Sequence, residues 1–234
     1  MSIPEWLRER TGWDKIWDAL FARRIPEAKG WKSWLFTLGS LCIFLLILQI
    51  VTGILLAMNY VPSPDHAWDS VRYIESHVVL GGFIRGLHHW GAYFLVVAVF
   101  LHLLRVYFMG SYKYPREATW VAGVFLFVIV VGFAFTGYLL PWDQKAYWAT
   151  VVGTNIAGQT PLAGKYLLEI LRGGPNMGPT TLTRFYAFHV LLLPALLIAA
   201  LAVHLFLVVW HGISEPPRPR RELEAADSEK EPRP

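Results

Sequence analysis

The stretch from Phe83 to Phe108 reads FIRGLHHWGAYFLVVAVFLHLLRVYF, and it decides the fold class. It is apolar enough to lie in lipid, yet it carries three histidines and two arginines. A bilayer core is crossed by a helix of about 20 apolar residues. Because ionisable side chains within such a helix are costly, they indicate a functional site. The stretch therefore predicts a membrane-spanning helix with a site built into it.

The rest of the chain extends this interpretation to a bundle. Of its 234 residues, 55% are hydrophobic and only 16% are charged. Four runs are long and apolar enough to span a membrane: residues 33–60, 86–108, 119–140 and 185–211. We therefore expect an all-α membrane protein in which a four-transmembrane-helix bundle occupies residues 31–215. The net charge of +4 needs no nucleic acid to explain it.

The two termini read differently from the bundle. Residues 1–30 contain an i, i+3, i+4, i+7, i+8 apolar pattern, which predicts an N-terminal amphipathic helix on the membrane surface. A helix packed on a soluble partner domain is the alternative. The pattern consists of Trp13, Ile16, Trp17, Leu20 and Phe21. Residues 216–234 are charged and proline-rich, and we expect them to be disordered.

Basic residues predict the orientation. If four helices cross the membrane, 15 of the 21 Lys and Arg residues lie on the side that holds both termini. Cytoplasmic segments of membrane proteins carry the excess of Lys and Arg. Both termini are therefore expected in the cytoplasm, with the loop of residues 141–183 on the outer side.

The histidine spacing in the second span is close to a whole number of helical turns. His88 and His102 are fourteen residues apart, which is about 1400° of rotation and roughly 21 Å of rise. They therefore share a face, whereas His89 lies about 140° away from the direction of His102. The fourth span repeats the arrangement with His189 and His204, fifteen apart, and a bend at Pro194 would absorb part of the difference.

Helix direction decides which histidines meet. Because consecutive spans alternate in direction, the second and fourth spans are parallel. His88 should then pair with His189 near one face, and His102 with His204 near the other. Zinc and copper sites recruit three or four protein ligands, which these depths do not offer. A haem supplies four nitrogens and needs only two axial imidazoles, so we expect two stacked, non-covalent b-type haems with these four iron ligands.

Glycines and arginines accompany the histidines. Gly39 and Gly53 in the first span are fourteen apart, as are Gly123 and Gly137 in the third. Glycine admits a flat macrocycle against the backbone, although a small-residue helix interface explains any one glycine equally well. Two arginines, Arg85 and Arg105, lie one turn from His88 and His102. They would either pair with haem propionates or reach lipid phosphate.

Three segments resemble cytochrome b of the cytochrome bc complexes, in particular cytochrome b6 and the split menaquinol type. They are RGLHHWGAYFLVVAVFLHLLRVY, GYLLPWDQKAYWAT and TLTRFYAFHVLLLP, and the resemblance runs from about Trp31 to Pro216. It implies the di-haem electron-transfer subunit of a quinol:cytochrome c (or plastocyanin) oxidoreductase. Such a subunit carries electrons from an outer quinol-oxidation site to an inner quinone-reduction site with proton translocation.

The resemblance also implies roles for individual residues. His88 and His189 would ligate the low-potential haem, and His102 and His204 the high-potential one. Trp120 would lie near a propionate of the latter, and Arg184 matches an arginine that precedes the fourth-span histidine. The outer quinol pocket would include Phe135, Tyr138 and Ala149. The loop of residues 141–183 would form a wall of that pocket with short surface helices, or merely cover the haem edge.

Partners and departures from the family pattern follow from the same resemblance. The implied partners are a C-terminal cytochrome b half, a Rieske iron–sulfur protein, a c-type cytochrome and membrane lipid, in a dimeric complex of the bacterial cytoplasmic membrane. The cysteine that attaches an extra haem in cytochrome b6 corresponds to Thr37. Cys42 lies about 140° around the helix from it, which argues against a covalent third haem. Val209 and Trp210 replace basic residues, and His211 is either a quinone-site residue or an interfacial histidine.

Two other functions are compatible with parts of the pattern. A di-haem membrane anchor of a dehydrogenase or hydrogenase also uses four helices and histidine pairs, but it lacks the LLPWDQ loop. A transporter with histidines along a proton path would need an acidic relay residue, and no Asp or Glu lies within the four spans.

Overall fold

The computed structural model of the protein describes residues 34–214. The predicted surface helix within residues 1–30 and the predicted disordered tail of residues 216–234 lie outside the described residues. Across residues 34–214 the chain forms helices, turns and irregular connections, and no strand. The prediction of an all-α fold is therefore confirmed for this part of the chain.

Eight α-helices follow one another in the described part of the chain, and four stretches are long and apolar enough to cross a membrane, as predicted. The helices are α1 (Leu38–Ala57), α2 (Ala67–His77), α3 (Gly81–Phe108), α4 (Glu117–Leu139), α5 (Gln144–Gly158), α6 (Gly164–Arg172), α7 (Pro179–Ala187) and α8 (Leu193–His211). A π-helical segment, Phe188–Leu192, joins α7 to α8. The fourth stretch is thus the continuous Pro179–His211.

Two spans begin earlier than hydropathy predicts. The second starts at Gly81 rather than residue 86, directly after a left-handed turn at Leu80, whose φ is 58°. The fourth starts at Pro179 rather than residue 185. Proline suits the first turn of a helix because its missing N–H has no intrahelical partner there. Glycines followed by Arg85 at the start of the second span, and threonines at the start of the fourth, hide these helix starts from a hydropathy pattern.

The order of the spans gives the bundle two distinct ends. We call the end that carries α2, α5, α6 and α7 the loop end. The other end, which we call the terminal end, carries residues 34–37, 109–116 and 212–214. The most extensive helix contacts are those of α1 with α3 and of α4 with α8, and α3 joins the two pairs through α4. The α3 helix and the fourth span run in the same direction, from the loop end to the terminal end.

Two apolar clusters hold the bundle together. One lies midway along the spans and consists of Leu45, Leu95, Ala98 and Val130. The other lies at the loop end and consists of Ala67, Leu139, Leu182 and Phe185. Few residues of the spans are buried: the buried share of the most apolar window is between 6% and 17% in each span.

The fourth span contains the main backbone irregularity of the described chain. The π-helical segment includes His189 and is followed by Pro194, which has no N–H to bond the Val190 carbonyl. A π turn accommodates one extra residue within a helix. The fifteen residues from His189 to His204 therefore rotate much as fourteen do in regular α3. The sequence predicts a bend at Pro194 that absorbs part of the difference, and the structure adds a π turn directly ahead of that proline.

A buried arginine organises the loop end. Arg172 is only 7% exposed, yet every acceptor it contacts is neutral. Its Nε donates to Thr154 Oγ1 (2.8 Å), and its Nη2 donates to Asn155 Oδ1 (2.8 Å) and the Val151 carbonyl (3.0 Å). These bonds fasten the end of α6 to α5. The segment 141–183 is accordingly a pair of packed helices, as predicted, and not an open connector.

A second arginine ties α7 to the same pair of helices. Arg184 Nη1 donates to the carbonyls of Glu169 (3.0 Å) and Ile170 (2.7 Å) at the end of α6. Gly173 follows α6 with φ of +76°, where a Cβ would lie 2.8 Å from Arg184 Nε. Both the backbone conformation and the close approach therefore require glycine at this position.

Candidate haem sites

Each of the four glycines singled out from the sequence faces a histidine ring. On α1, a Cβ at Gly53 would lie 3.1 Å from His88 Cε1, and a Cβ at Gly39 would lie 3.5 Å from His102 Cε1. The glycine interval therefore equals the histidine interval because the two helices lie side by side. The group that approaches the glycine backbone directly is the imidazole.

The same arrangement joins α4 to the fourth span. A Cβ at Gly123 would lie 3.2 Å from His204 Cε1, and a Cβ at Gly137 only 2.6 Å from His189 Cε1. In all four contacts Nδ1 is the nitrogen nearer to the glycine. At Gly39, Gly53 and Gly123 the Nε2 atom lies beyond 4 Å and is turned away from the glycine-bearing helix, whereas at Gly137 the His189 Nδ1 and Nε2 lie at nearly equal distances, 3.1 Å and 3.2 Å. Nε2 is the nitrogen that these contacts leave available to a metal at the first three rings, and the Thr136 bond decides it for His189.

Two threonines fix the rings at the loop end. Thr52 Oγ1 lies 2.9 Å from His88 Nδ1 and 2.6 Å from the Leu48 carbonyl. Because a carbonyl only accepts, the single hydroxyl proton belongs to the Leu48 bond and His88 Nδ1–H donates to Thr52. The Nε2 of His88 then carries a lone pair.

Thr136 repeats this arrangement on α4. Its Oγ1 lies 3.1 Å from His189 Nδ1 and donates to the Gly132 carbonyl at 2.8 Å. By the same argument, His189 Nδ1–H donates to the hydroxyl and Nε2 is left as the free base. Each threonine directly precedes the glycine that its histidine contacts.

The histidines at the terminal end have no such support. The residues before Gly39 and Gly123 are Leu38 and Ala122, which cannot accept a hydrogen bond through their side chains. Within residues 34–214, Nδ1 of His102 and Nδ1 of His204 are buried without a hydrogen bond of good geometry. His204 faces the Thr119 backbone.

The histidines meet in two pairs at two depths. The rings of His88 and His189 have centroids 6.4 Å apart and planes inclined at 75°. One metal atom about 2 Å from a nitrogen of each ring fits between them. His102 and His204 are near enough to interact electrostatically. Residues 34–214 contain no group of three or more His, Cys, Asp or Glu placed to hold a metal, so each pair offers two imidazoles and nothing more.

The two arginines differ in what they contact. The guanidinium of Arg105 lies 4.3 Å from the centroid of the Phe36 ring, and its Nε and Nη2 are buried without a hydrogen-bond partner in the described residues. Arg85 forms an ion pair with Glu75 of α2. A buried guanidinium with unused donors is the chemistry that an anionic propionate satisfies. Arg105 therefore fits that role on its own contacts, while Arg85 already has one carboxylate.

The terminal end closes around α8 through the connection between α3 and α4. Arg116 donates to the carbonyls of Gly212 (3.3 Å) and His211 (3.4 Å). The predicted propionate neighbour Trp120 packs against Tyr112, with ring centroids 5.8 Å apart. At the same end the Thr119 hydroxyl is buried, and the described part of the chain offers it no hydrogen-bond partner.

Three residues weighed for extra roles lie near this end. Thr37 is exposed and donates to the Trp34 carbonyl at 2.7 Å. Cys42 is half-buried and packs against the mid-span cluster. The Nδ1 of His211 lies 3.1 Å from the Leu207 carbonyl of its own helix.

The predicted quinol-pocket residues all lie at the loop end. The Phe135 ring packs against Phe185 with centroids 5.5 Å apart, and a Cβ at Gly153 of α5 would lie 2.6 Å from it. Tyr138 is half-buried and Ala149 is exposed on α5. A separate cavity of about 220 Å³ opens at the start of α5, lined by Trp142, Asp143, Gln144, Tyr147 and Trp148. It does not include the three predicted residues.

Sequence reasoning missed several residues that shape these sites. Thr52, Thr136, Gly153 and Arg172 were not singled out. A usable signal existed for the threonines, since a threonine directly precedes one glycine in each pair. The other two act through helices distant in sequence, which a pattern within one helix does not reveal.

Comparison with known proteins agrees with this geometry. Residues 27–212 match the family model described as Cytochrome b/b6/petB. The chain is 43% identical over 220 residues to the menaquinol:cytochrome c reductase cytochrome b subunit of Bacillus subtilis, covering 92% of this chain and 98% of that protein. It is 42% identical over 212 residues to cytochrome b6 of Heliobacterium mobile, covering 90% and 99%.

A solved structure has the same fold. The structure, described as a hyperthermophilic respiratory Complex III, matches with a TM-score of 0.81 and 30% sequence identity. The match covers 99% of this chain and 59% of the chain in that structure. The family model and both relatives extend over most of the sequence. The chain therefore belongs to the cytochrome b/b6/petB family, integral membrane proteins that bind haem b.

Proposed function

We propose that this chain is the di-haem electron-transfer subunit of a quinol:cytochrome c oxidoreductase, with menaquinol as the quinol that its relative's name favours. The observation that carries the proposal is the doubled site. Four histidines, each seated against a glycine, form two pairs at two depths of one bundle. Two imidazoles per site suit a haem and no simpler metal centre.

His88 and His189 hold one haem b, and His102 and His204 hold the other. When bound, each haem supplies an iron that gains or loses one electron. The chain provides the axial nitrogens and keeps other ligands from the iron. At the loop end the two threonines also fix which nitrogen is free. The two imidazoles at each site would leave a bound haem suited to electron transfer and not to oxygen binding.

Polar groups near the histidines hold the haem propionates. Arg105 does so at the terminal end, where its Nε and Nη2 have no hydrogen-bond partner among residues 34–214. Trp120 and the buried Thr119 hydroxyl lie at the same end. Arg85 serves the loop-end haem while keeping its ion pair with Glu75.

The distance between the two histidine pairs lets electron transfer move charge across the membrane. The histidines on α3 are about 21 Å apart along the helix axis. An electron that moves from the loop-end level to the terminal-end level crosses much of the bilayer. Moving one charge against 100 mV costs about 2.3 kcal/mol. The protein must therefore make the loop-end haem the stronger reductant.

The loop end carries the quinol-oxidation site. Phe135, Tyr138 and Ala149 line it, and the α5–α6 pair forms one wall. Gly153 brings that wall against Phe135, and Arg172 keeps its two helices together. Quinol protons leave on this side, which we place at the outer face of a bacterial cytoplasmic membrane. Quinone is reduced at the terminal end, on the cytoplasmic side with both termini.

Other subunits complete the complex. One partner is a C-terminal cytochrome b half; the match covers 59% of the chain in the solved structure, which is consistent with a second cytochrome b part. A Rieske iron–sulfur protein takes one quinol electron, and a c-type cytochrome accepts it in turn. We place the assembly in membrane lipid as a dimer.

The test is to purify the native complex, identify its subunits and measure a reduced-minus-oxidised spectrum across a redox titration. We expect two b-haem waves of different potential, together with a Rieske protein and a second cytochrome b subunit. A dehydrogenase or hydrogenase partner in their place would contradict the proposal, as would a single b-haem per chain.

A further inference from the structure

We infer that Thr52 and Thr136 are positioning residues that make the loop-end haem the lower-potential centre of the pair. The inference rests on the proposed function and adds a cause for the direction of electron flow. It starts from a difference between two otherwise equivalent sites. Within residues 34–214, both loop-end histidines donate to a threonine hydroxyl, and neither terminal-end histidine does.

The first effect of these threonines is on ring orientation. A hydroxyl that donates to the carbonyl four residues earlier can only accept from the imidazole. The Nδ1–H of each loop-end histidine is thereby held against Thr52 or Thr136, and this bond fixes the orientation of the ring. This second hydrogen bond adds to the contact with the neighbouring glycine, so each loop-end ring is held on two sides.

The second effect is electronic. Partners that accept from the outer nitrogen of a metal-bound imidazole raise the basicity of the inner nitrogen. A more basic ligand stabilises Fe(III) over Fe(II), which lowers the reduction potential. The acceptor is strengthened because each hydroxyl itself donates to a backbone carbonyl, and linked hydrogen bonds polarise one another. Two such ligands act on the same iron.

The terminal-end site provides the internal contrast. Leu38 and Ala122 stand where the threonines stand at the loop end, one residue before the glycine. Within residues 34–214, His102 and His204 therefore lack a hydroxyl acceptor, and His204 faces only the Thr119 backbone. The iron that they would bind is the easier one to reduce. A single position on each glycine-bearing helix thus sets the order of the two potentials.

The experiment is equilibrium redox potentiometry of the purified holo-complex, read from the haem absorption bands, with haem content measured alongside. In T52V and T136V, we expect the lower wave to rise and the upper wave to stay. The expected shift is roughly threefold to tenfold in the oxidised-to-reduced equilibrium, the scale of one net hydrogen bond. Tenfold is about 59 mV for a one-electron couple. T52S and T136S, which keep the hydroxyl, should restore the original value.

Two further variants keep the test decisive. A122T adds a hydroxyl beside His204 and should lower the upper wave while leaving the lower one alone. T183V is the matched control, because Thr183 makes the same bond to a carbonyl four residues earlier (Pro179, 3.1 Å) and forms no hydrogen bond to a histidine in residues 34–214. It should move neither wave. If T52V or T136V prevents assembly, A122T and the serine variants carry the test.

The outcomes separate this inference from the proposed function. Two waves in the parent complex that do not respond to T52V, T136V or A122T would overturn the inference and leave the proposed function standing. A shift of the upper wave in the threonine variants would overturn it as well. A parent complex with one wave or none would instead refute the di-haem function itself.

Discussion

The loop-end and terminal-end sites use the same residues at the same interval, yet they hold their histidines differently. At the loop end, His189 lies so close to α4 that a Cβ at Gly137 would be 2.6 Å from its ring. At the terminal end, the corresponding distance on α4, from Gly123 to His204, is 3.2 Å. On α1 the two distances are 3.1 Å at the loop end and 3.5 Å at the terminal end. The loop-end rings also bond to threonines, whereas the terminal-end Nδ1 atoms do not bond to side chains in the described residues.

This difference shows how a repeated arrangement gives two centres with different chemistry. The glycine and histidine at each level set the place of the ring. The residue before the glycine sets what the ring donates to, and the nearest arginine sets the local charge. The four changes below alter these features separately, beginning with the ligands.

Removing a ligand histidine should have the largest effect. We expect His88→Leu to eliminate the loop-end haem and His102→Leu the terminal-end haem, because a single imidazole does not complete the iron. Haem content should fall from two per chain to one, and a different redox wave should be lost in each variant. Haem extraction and potentiometry measure this.

His89→Leu is the control for both variants. His89 is exposed and packs against Tyr93, with ring centroids 5.2 Å apart. It should keep both haems. Loss of the same wave in His88→Leu and His102→Leu would refute the separation into two sites.

Shortening the two histidine-bearing spans by one residue should have opposite results. Deletion of Leu191 reduces the interval from His189 to His204 to fourteen, which a regular α-helix can accommodate, so both haems should remain. Deletion of Phe94 reduces the α3 interval to thirteen and rotates one histidine by about 100°, so one haem should be lost. Both residues are exposed, which makes the pair well matched. Haem content per chain distinguishes the two deletions. Loss of haem in the Leu191 deletion would contradict the role given to the π turn.

Adding a methyl group at the glycines should follow the distances. Gly137→Ala should displace the His189 ring and destabilise the holo-protein by about 1–3 kcal/mol, the usual cost of overpacking. Gly39→Ala should be tolerated, because 3.5 Å is an ordinary contact. Thermal unfolding followed at the haem band measures the difference.

Gly86→Ala serves as the reference for these variants. Nothing lies within 4 Å of a Cβ at that position, and alanine favours a helix over glycine. Equal loss of stability in Gly39→Ala and Gly137→Ala would show that the glycines do not seat the rings as described.

Removing the arginine charges should have the smallest effect. Arg105→Gln should lower the potential of the terminal-end haem by up to tenfold in equilibrium constant, or about 59 mV. A nearby positive charge favours the reduced iron, and Arg105 has no acidic partner in residues 34–214. Arg85→Gln should shift the loop-end haem less, since Glu75 already offsets that charge. A larger shift in Arg85→Gln than in Arg105→Gln would contradict this order.

Much of the fold could be predicted because its main determinants are periodic within single helices. Four apolar runs gave four spans, and the fourteen-residue interval correctly placed His88 and His102 on one face. The matching glycine interval indicated which helices lie beside the histidine-bearing spans. The starts at Gly81 and Pro179 were missed because glycines and Arg85 begin the second span, and a proline and threonines begin the fourth.

The remaining features depend on contacts between distant parts of the chain. Thr52 reads as an ordinary helix residue until His88, 36 positions later, lies against it. Arg172 reads as a surface cation, yet Thr154 and Asn155 enclose it. No pattern within one helix reports such pairings, so a single sequence could not supply them.

The π turn at His189 has a consequence for how such proteins are recognised. A search that demands a fixed fourteen-residue separation between metal-binding histidines would discard the fourth span and keep only α3. The admissible separations are instead two, and each corresponds to a backbone form: unbroken i→i−4 bonding for fourteen, and one wider turn for fifteen. The number of residues between two histidines therefore gives the rotation between their side chains only when the hydrogen-bond pattern of the intervening helix is known.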